Sequence, residues 1–207
     1  MKIGVIDYGM GNLFSVEQAL KRLNCEPLIT SNIEELNKCD ALILPGVGAF
    51  PDAMKRLEEL GLDQYIKEQL TKPLLGICLG MQLLFEKSDE VTLTEGLGIF
   101  KGHIKRFDGV SRIPHMGWND LQFASIPDWL NEKEMPEDRF VYFVHSFYAT
   151  EIAKDELVAF ADYEGEKVPG IVKSGSYTGM QYHPEKSGEF GMFLLEQWLK
   201  GLEEAAC

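Results

Sequence analysis

One cysteine stands in a setting typical of a nucleophile. Cys78 lies in the run Gly76-Ile77-Cys78-Leu79-Gly80, which joins an apolar, strand-like segment to a helical one. This spacing matches the nucleophile elbow G-x-S-x-G, with cysteine in place of serine. The abrupt turn forces the nucleophile into strained backbone geometry, which flanking side chains would obstruct. The alternative for an isolated cysteine is a buried thiol without a chemical role.

A thiol nucleophile needs a base, and the base needs a group that orients it. Among the four histidines, His183 is the best candidate, because it follows a strand-like segment in Gln181-Tyr182-His183-Pro184-Glu185. If the backbone stays extended, residues two apart point the same way, and Glu185 would lie beside His183. The alternative for this pair is a turn with a solvated glutamate. Together with the elbow, the pair predicts a Cys-His-Glu triad.

The other three histidines have weaker contexts. His103 lies between basic residues and is expected to be exposed, and His115 follows a proline in a predicted loop. His145 follows the apolar run FVYFV. The sequence assigns none of the three a role in the triad.

Composition limits the possible classes of protein. The 207 residues, 45% hydrophobic and 26% charged, are expected to form one soluble domain over residues 1–207. The 33 acidic against 20 basic residues give a formal charge of −13, which argues against nucleic-acid and membrane binding. No apolar stretch approaches the roughly 18 residues of a membrane span. The four cysteines show no zinc-binding spacing, so we expect no metal site and a cytoplasmic location.

The hydrophobic pattern predicts an α/β fold. The first half alternates predicted strands at 2–8, 25–30, 41–46 and 73–80 with predicted helices at 13–23, 34–37, 49–70 (broken near Gly61) and 81–85. Such alternation is typical of a parallel sheet covered by helices on both faces. The second half predicts strands at 98–107, 119–124, 139–148, 156–162, 168–174 and 176–182, then a helix at 188–202. We therefore expect a mostly parallel central sheet with an added antiparallel portion.

The motifs resemble one known family. GICLGMQ, QYHPE and LPGVGAF resemble the class I, triad-type glutamine amidotransferases, and DYGMGN, PHMGWN and FVHSFYA extend the likeness over essentially the whole chain. Within that family, the motifs are similar to glutaminase subunits that feed ammonia to a separate cyclase in histidine biosynthesis. The products there are imidazole glycerol phosphate and an aminoimidazole carboxamide ribotide.

The resemblance implies a fold, a reaction and a partner. The fold would be flavodoxin-like. The substrate would be L-glutamine, hydrolysed to glutamate and ammonia without a cofactor. The partner would be a cyclase subunit of the (β/α)₈-barrel type, and the two chains would form a heterodimer.

The same resemblance gives roles to individual positions. Cys78 would be the nucleophile, His183 the base and acid, and Glu185 the orienting carboxylate. The oxyanion hole would involve Leu79 and the segment that contains Val47 and Gly48. Relatives commonly have tyrosine where Phe147 stands, so any contribution of a phenolic hydroxyl is lost here. The glutamine contacts implied by the resemblance are Gly48, Gln82, Ser146 and Phe147.

Three further positions would face the partner: Asn12, Trp118 and Lys186. The alternatives are a half-buried aromatic for Trp118 and an ordinary surface lysine for Lys186. We expect no dinucleotide-binding loop after the first strand, because the third glycine of G-x-G-x-x-G would fall at Phe14.

Two other functions compete with this interpretation. One is the glutaminase of another synthase, which makes anthranilate, guanylate, formylglycinamidine or pyridoxal phosphate; PGVGAF and PHMGWN argue against each. The other is a regulatory or scaffold subunit that has lost catalysis. The intact set Cys78, His183 and Glu185 argues against it.

Overall fold

Strands and helices alternate through the first half of the chain. The computed structural model describes residues 1–205. Its elements to residue 83 are β1 (Lys2–Ile6), α1 (Leu13–Arg22), β2 (Glu26–Thr30), α2 (Ile33–Leu36), β3 (Ala41–Leu44), α3 (Phe50–Glu59), α4 (Leu62–Gln64), a π-helical turn (Tyr65–Gln69), β4 (Leu74–Ile77) and α5 (Leu79–Leu83). The predicted break in the third helix is confirmed, since Gly61 has φ +67° and separates α3 from α4. The predicted helix 81–85 was misplaced, because α5 already begins at Leu79 and Phe85 starts a strand.

Strands dominate the second half until the closing helix. The elements are β5 (Phe85–Ser88), β6 (Thr94–Glu95), β7 (Phe100–Arg106), β8 (His115–Asp120), β9 (Gln122–Phe123), a 3₁₀ turn (Glu132–Glu134), β10 (Phe140–His145), β11 (Phe147–Thr150), β12 (Leu157–Tyr163), β13 (Glu166–Ser174), β14 (Tyr177–Met180), a second 3₁₀ turn (Pro184–Lys186) and α6 (Gly188–Ala205). The predicted strand 139–148 is two strands, which separate at Ser146. His115 was expected in a loop but is the first residue of β8 and is buried.

The central sheet confirms the predicted fold class. Its eight strands run in the order β2-β1-β3-β4-β14-β13-β12-β9. The pairs from β2 to β14 are parallel, and the pairs from β14 to β9 are antiparallel. The carboxyl ends of β3 and β4 therefore lie side by side at one edge of the sheet, which is where open α/β folds place ligands.

Helices cover both faces of this sheet. On one face α1 and α6 pack against alternate residues of the central strands, with Leu20 and Trp198 fully buried. On the other face α3 and α5 pack, with Phe50 and Met81 buried. The doubly covered parallel strands explain why the sequence shows continuous apolar runs there. Within residues 1–205 no helix is long and apolar enough to cross a membrane.

Two smaller sheets extend from the central one. β8 and β10 form an antiparallel pair, and β11, β7, β5 and β6 form a four-stranded sheet in that order. His103 in β7 was expected to be exposed but is buried, and its Nε2 lies 2.9 Å from Oδ1 of Asp89. The reason is an irregularity in the pairing of β5 with β7, at which Gly102 adopts φ +130°. The extra residue in β7 shifts the alternation of its side chains, so His103 turns inward.

Candidate active site

The turn after β4 has the geometry of a nucleophile elbow. Cys78 has φ +55° and ψ −114°, a conformation that is strained for any residue with a side chain, and it caps the start of α5. The neighbouring glycines are required for space. A Cβ on Gly80 would lie 1.9 Å from the Leu44 carbonyl oxygen, and one on Gly76 would lie 2.7 Å from the Gly80 carbonyl oxygen. Only glycine therefore allows α5 to start so close to the strands.

The thiol is buried but faces a cavity. Cys78 is 8% exposed, and its backbone N–H donates to the Met180 carbonyl at 2.8 Å. This bond ties the elbow to the end of β14, from which the chain continues to His183. The N–H of Leu79, the first residue of α5, has no acceptor within the helix. Such an amide is free to stabilise a negative charge beside the thiol.

His183 and Glu185 contact each other directly. Nδ1 of His183 lies 2.8 Å from Oε1 of Glu185, whose side chain is only 1% exposed. The backbone between them is not extended as assumed from the sequence, because Pro184–Lys186 forms a 3₁₀ turn. The carboxylate accepts a hydrogen bond from Nδ1–H and so leaves Nε2 as the ring nitrogen that faces the thiol.

The surroundings of His183 favour its charged form. Burial disfavours protonation, but hydrogen bonds to Cys78 and Glu185 and the negative charges of both groups together raise the pKa of His183 above its ordinary value. An imidazolium held between a thiol and a carboxylate is the arrangement that activates a cysteine nucleophile.

A cavity of about 400 Å³ opens above this cluster, a size that suits a small ligand. The structure brings Cys78 and His183 together with all the residues predicted to contact glutamine or an oxyanion. These residues line the cavity: Val47, Gly48, Leu79, Gln82, Ser146 and Phe147.

Gln82 lies in the cavity wall and hydrogen-bonds to two neighbouring residues. Its buried side-chain amide donates to the Phe147 carbonyl and to Oε1 of Gln181, both at 2.9 Å. The amide nitrogen of Gln181 in turn lies 4.0 Å from Sγ of Cys78. Gln82 therefore links α5 to β11 and to the residues beside the thiol.

The Pro45–Gly48 segment borders the cavity on the other side. Val47 is 43% exposed, and Gly48 has φ +102°, which favours glycine. A Cβ on Gly46 would lie 2.7 Å from the Tyr8 hydroxyl, which donates to the Pro45 carbonyl. Tyr8 therefore fixes the start of the segment, while the Val47 side chain beyond it is partly exposed.

The residues predicted to face a partner lie on the surface around the triad turn. Trp118 is 57% exposed on β8, where its ring lies beside Gly188. Lys186 is exposed at the end of the 3₁₀ turn, directly after Glu185. The Asn12 side chain accepts from the Ser15 N–H and caps α1, which contacts the same turn.

Four cavity-lining residues were missed from the sequence: Glu90, Pro114, Val144 and His145. Glu90 bears most on ligand binding, because it adds a carboxylate to a cavity that already contains the His183 imidazole and the Cys78 thiol. Its Oε2 accepts the Phe50 N–H at 2.8 Å. Burial raises the pKa of Glu90, an effect that this hydrogen bond partly offsets. Its stretch, Asp89-Glu90-Val91, has the composition of an acidic surface loop, so no local pattern indicates a pocket.

The chain belongs to the class I glutamine amidotransferase family. Residues 4–201 match the family described as "Glutamine amidotransferase class-I". Similar curated proteins carry a more specific name, "Imidazole glycerol phosphate synthase subunit HisH". The one from Oceanobacillus iheyensis is 48% identical over 198 residues, covering 95% of this chain and 97% of that protein. The one from Shouchella clausii is 52% identical over 206 residues, covering 95% and 96%.

Solved structures share the fold. A structure described as a glutamine amidotransferase superimposes with a TM-score of 0.75 at 21% identity, covering 97% of this chain and 98% of the other. The structure of PurLQS from Thermotoga maritima gives a TM-score of 0.71 at 18% identity, covering 100% and 99%. At these identities the likeness concerns the fold alone.

Proposed function

We propose that this chain is the glutaminase subunit of an imidazole glycerol phosphate synthase, which supplies ammonia for histidine biosynthesis. The observation that carries the proposal is the strained Cys78 beside the His183–Glu185 pair in one cavity. Full-length relatives that bear the name of that subunit support the choice of pathway. Under this proposal residues 1–207 form one amidotransferase domain. The proposed location is the cytoplasm, since Cys25, Cys39 and Cys78 are free thiols.

The reaction follows from the arrangement of the three side chains. The Cys78 thiolate adds to the side-chain amide carbon of glutamine, and the carbonyl oxygen takes up the negative charge. His183 gives its proton to the departing nitrogen, so ammonia leaves and a γ-glutamyl thioester remains. His183 then accepts a proton from water as the water attacks the thioester. Glutamate leaves, and Cys78 and His183 return to their starting states.

The charge on the carbonyl oxygen needs donors. The Leu79 N–H at the start of α5 is one of them in this proposal, and the segment with Val47 and Gly48 supplies the other. The space around Val47 and the positive φ of Gly48 support a segment that can change its peptide orientation. We infer that this segment is reorganised when the partner binds, so the isolated chain hydrolyses glutamine slowly.

The polar lining of the cavity suits the amino-acid end of glutamine. Glu90 supplies the negative charge that pairs with the α-ammonium group. Gly48, Ser146 and Phe147 surround the substrate backbone, and Gln82 holds Phe147 in place. A carboxylate at this point distinguishes glutamine from amides that lack an α-amino group.

The ammonia must reach a second active site without meeting water, because in water at neutral pH it would be mostly protonated and unreactive. We propose that this site is in a cyclase of the (β/α)₈-barrel type, which binds this chain as a heterodimer. The outer face of the β8–β10 pair exposes several large apolar side chains, as a binding surface does. They are Met116, Trp118, Phe140 and Val144.

Glutaminase assays with and without the cyclase and its nucleotide ligand test this function. The wild-type chain should release glutamate slowly alone and faster in the complex. Cys78→Ser should abolish glutamine-dependent synthesis, yet leave synthesis from added ammonia intact, because the second site is on the other chain. Loss of both activities, or full speed without the partner, would refute the proposal.

A further inference from the structure

Two buried histidines form a chain of hydrogen bonds that ends in the cavity. His115 of β8 and His145 of β10 lie opposite each other, with Nδ1 of His115 3.2 Å from Nε2 of His145. Nδ1 of His145 lies 2.8 Å from the Phe147 carbonyl oxygen. At the other end, the Asn119 amide nitrogen lies 3.3 Å from Nε2 of His115.

The groups at the two ends together fix the direction of every bond. A carbonyl oxygen can only accept, so Nδ1 of His145 carries a proton. At the other end the Asn119 amide nitrogen can only donate, so Nε2 of His115 accepts, and Nδ1–H of His115 donates to Nε2 of His145. The orientation of that amide is fixed independently, because its nitrogen also donates to the Asp162 carbonyl at 2.8 Å and its oxygen accepts the Asp120 N–H at 2.9 Å. Both histidines are therefore neutral, with the proton on Nδ1.

The side chains around His115 and His145 favour the neutral form of both rings. The rings of Tyr163 and Phe143 stack on His115, with centroids 3.9 and 4.5 Å away. Burial lowers the pKa of His115 to about 4. Burial, followed by the neighbouring His115, lowers the pKa of His145 to about 3 despite its bond to the Phe147 carbonyl. Protonation of either ring would place two donors face to face in this network.

The Phe147 carbonyl is held from two sides. It accepts Nδ1–H of His145 and also the Gln82 side-chain amide at 2.9 Å. A carbonyl oxygen has two lone pairs, so both are occupied by buried side-chain donors. One donor comes from α5, the helix after Cys78, and the other from the β8–β10 pair. The Phe147 carbonyl is thus part of the scaffold, and it has no lone pair left to accept a hydrogen bond from the substrate.

We propose that His145, oriented by His115, is a positioning residue that holds Ser146 and Phe147 in the geometry that binds glutamine. The assignment of a ligand rests on the proposed function, whereas the hydrogen-bond chain does not. A residue of this kind acts on the affinity for glutamine more than on the chemical step at Cys78, because it does not touch the reacting atoms.

The test combines kinetics with a spectroscopic measurement in the complex with the cyclase. In wild-type protein labelled with ¹⁵N-histidine, His115 and His145 should both give the spectrum of the neutral form protonated at Nδ1. His115→Phe removes one buried hydrogen bond, so KM for glutamine should rise about five- to tenfold while kcat changes by less than about twofold. The ¹⁵N signals of His145 should then show a mixture of tautomers. His115→Asn, which restores an amide donor, should lower KM again.

A second pair of variants addresses His145 itself. His145→Asn keeps a donor toward the Phe147 carbonyl and should keep KM near the wild-type value, whereas His145→Ala should raise it. Tyr163→Phe keeps the stacked ring and serves as the control, with no change in KM expected.

Two results would overturn the proposal: a wild-type His145 protonated at Nε2, or a His115→Phe protein with altered His145 tautomers and an unchanged KM. If His115→Phe does not fold, the wild-type spectrum and the KM values of the His145 variants still test the proposal. Failure of the wild-type complex to hydrolyse glutamine would instead refute the proposed function, leaving the tautomers as measured.

Discussion

The carboxylate of Glu185 contacts Nδ1 of His183 at 2.8 Å across a single 3₁₀ turn that Pro184 begins. Both side chains are almost completely buried. A carboxylate in that position favours the protonated imidazole, and the hydrogen bond and charge of Cys78 raise the pKa of His183 in the same direction. The proton that ammonia needs on leaving is therefore stored on His183 before the reaction begins.

Removal of the negative charge at position 185 tests this arrangement. Burial opposes protonation of His183, and the hydrogen bonds and charges of Cys78 and Glu185 raise its pKa against that effect. Glu185→Gln keeps the shape but lowers this pKa, and we expect kcat to fall on the order of 10²-fold. Since activity requires protonated His183, it is lost as pH rises through this pKa. The alkaline limb of kcat/KM against pH should therefore move to lower pH in the variant, and an unmoved limb would contradict the assigned role.

Glu90 should determine recognition of the α-ammonium group. Glu90→Gln keeps an acceptor for the Phe50 N–H but removes the charge, so the fold should be retained and KM for glutamine should rise about tenfold or more. Comparison with 4-carbamoylbutanoate, which is glutamine without the amino group, isolates the contact. Wild-type enzyme should discriminate strongly between the two amides, and the variant should not. Equal discrimination by both proteins would remove Glu90 from the substrate site.

The space around Gly80 should make the elbow intolerant of any side chain. A Cβ there would lie 1.9 Å from the Leu44 carbonyl oxygen, so Gly80→Ala should lower the free energy of unfolding by at least about 3 kcal/mol. Gly61→Ala is the control, because nothing lies within 4 Å of its Cβ. Its cost should be limited to the positive φ, about 1 to 2 kcal/mol. Chemical denaturation measures both, and equal losses would contradict the steric argument.

Trp118 should contribute to binding of the cyclase and not to folding. Its ring is largely exposed, and Trp118→Ala should weaken the heterodimer by about 2 kcal/mol, or roughly 30-fold in Kd. Ile126→Ala removes another exposed apolar side chain away from β8 and β10 and should leave Kd unchanged. Titration calorimetry with the purified cyclase distinguishes the two, and equal effects would remove Trp118 from the interface.

The sequence predicts the parts of this protein that depend on local patterns. The strand–glycine–Cys78 run predicts an elbow because the steric need for Gly76 and Gly80 is local. The alternation of apolar strand segments with helical segments is also a local pattern, and it predicts the parallel sheet. His145 could not be predicted, because it reaches the cavity only through the pairing of β10 with β8. Glu90 could not be predicted either, because it lies in a loop after β5 whose residues show no local pattern. The error at His103 likewise comes from an irregular pairing that hydrophobic periodicity does not reveal.

Cys78 is the residue expected to attack the side-chain amide carbon of glutamine. A diazo-ketone analogue of glutamine, added to the complex with the cyclase and its nucleotide ligand, tests this attack. Mass spectrometry of the digested protein should find one equivalent of label, on Cys78, and excess glutamine should protect that residue. An unmodified Cys78 under these conditions, or a label divided among Cys25, Cys39 and Cys78, would contradict the account.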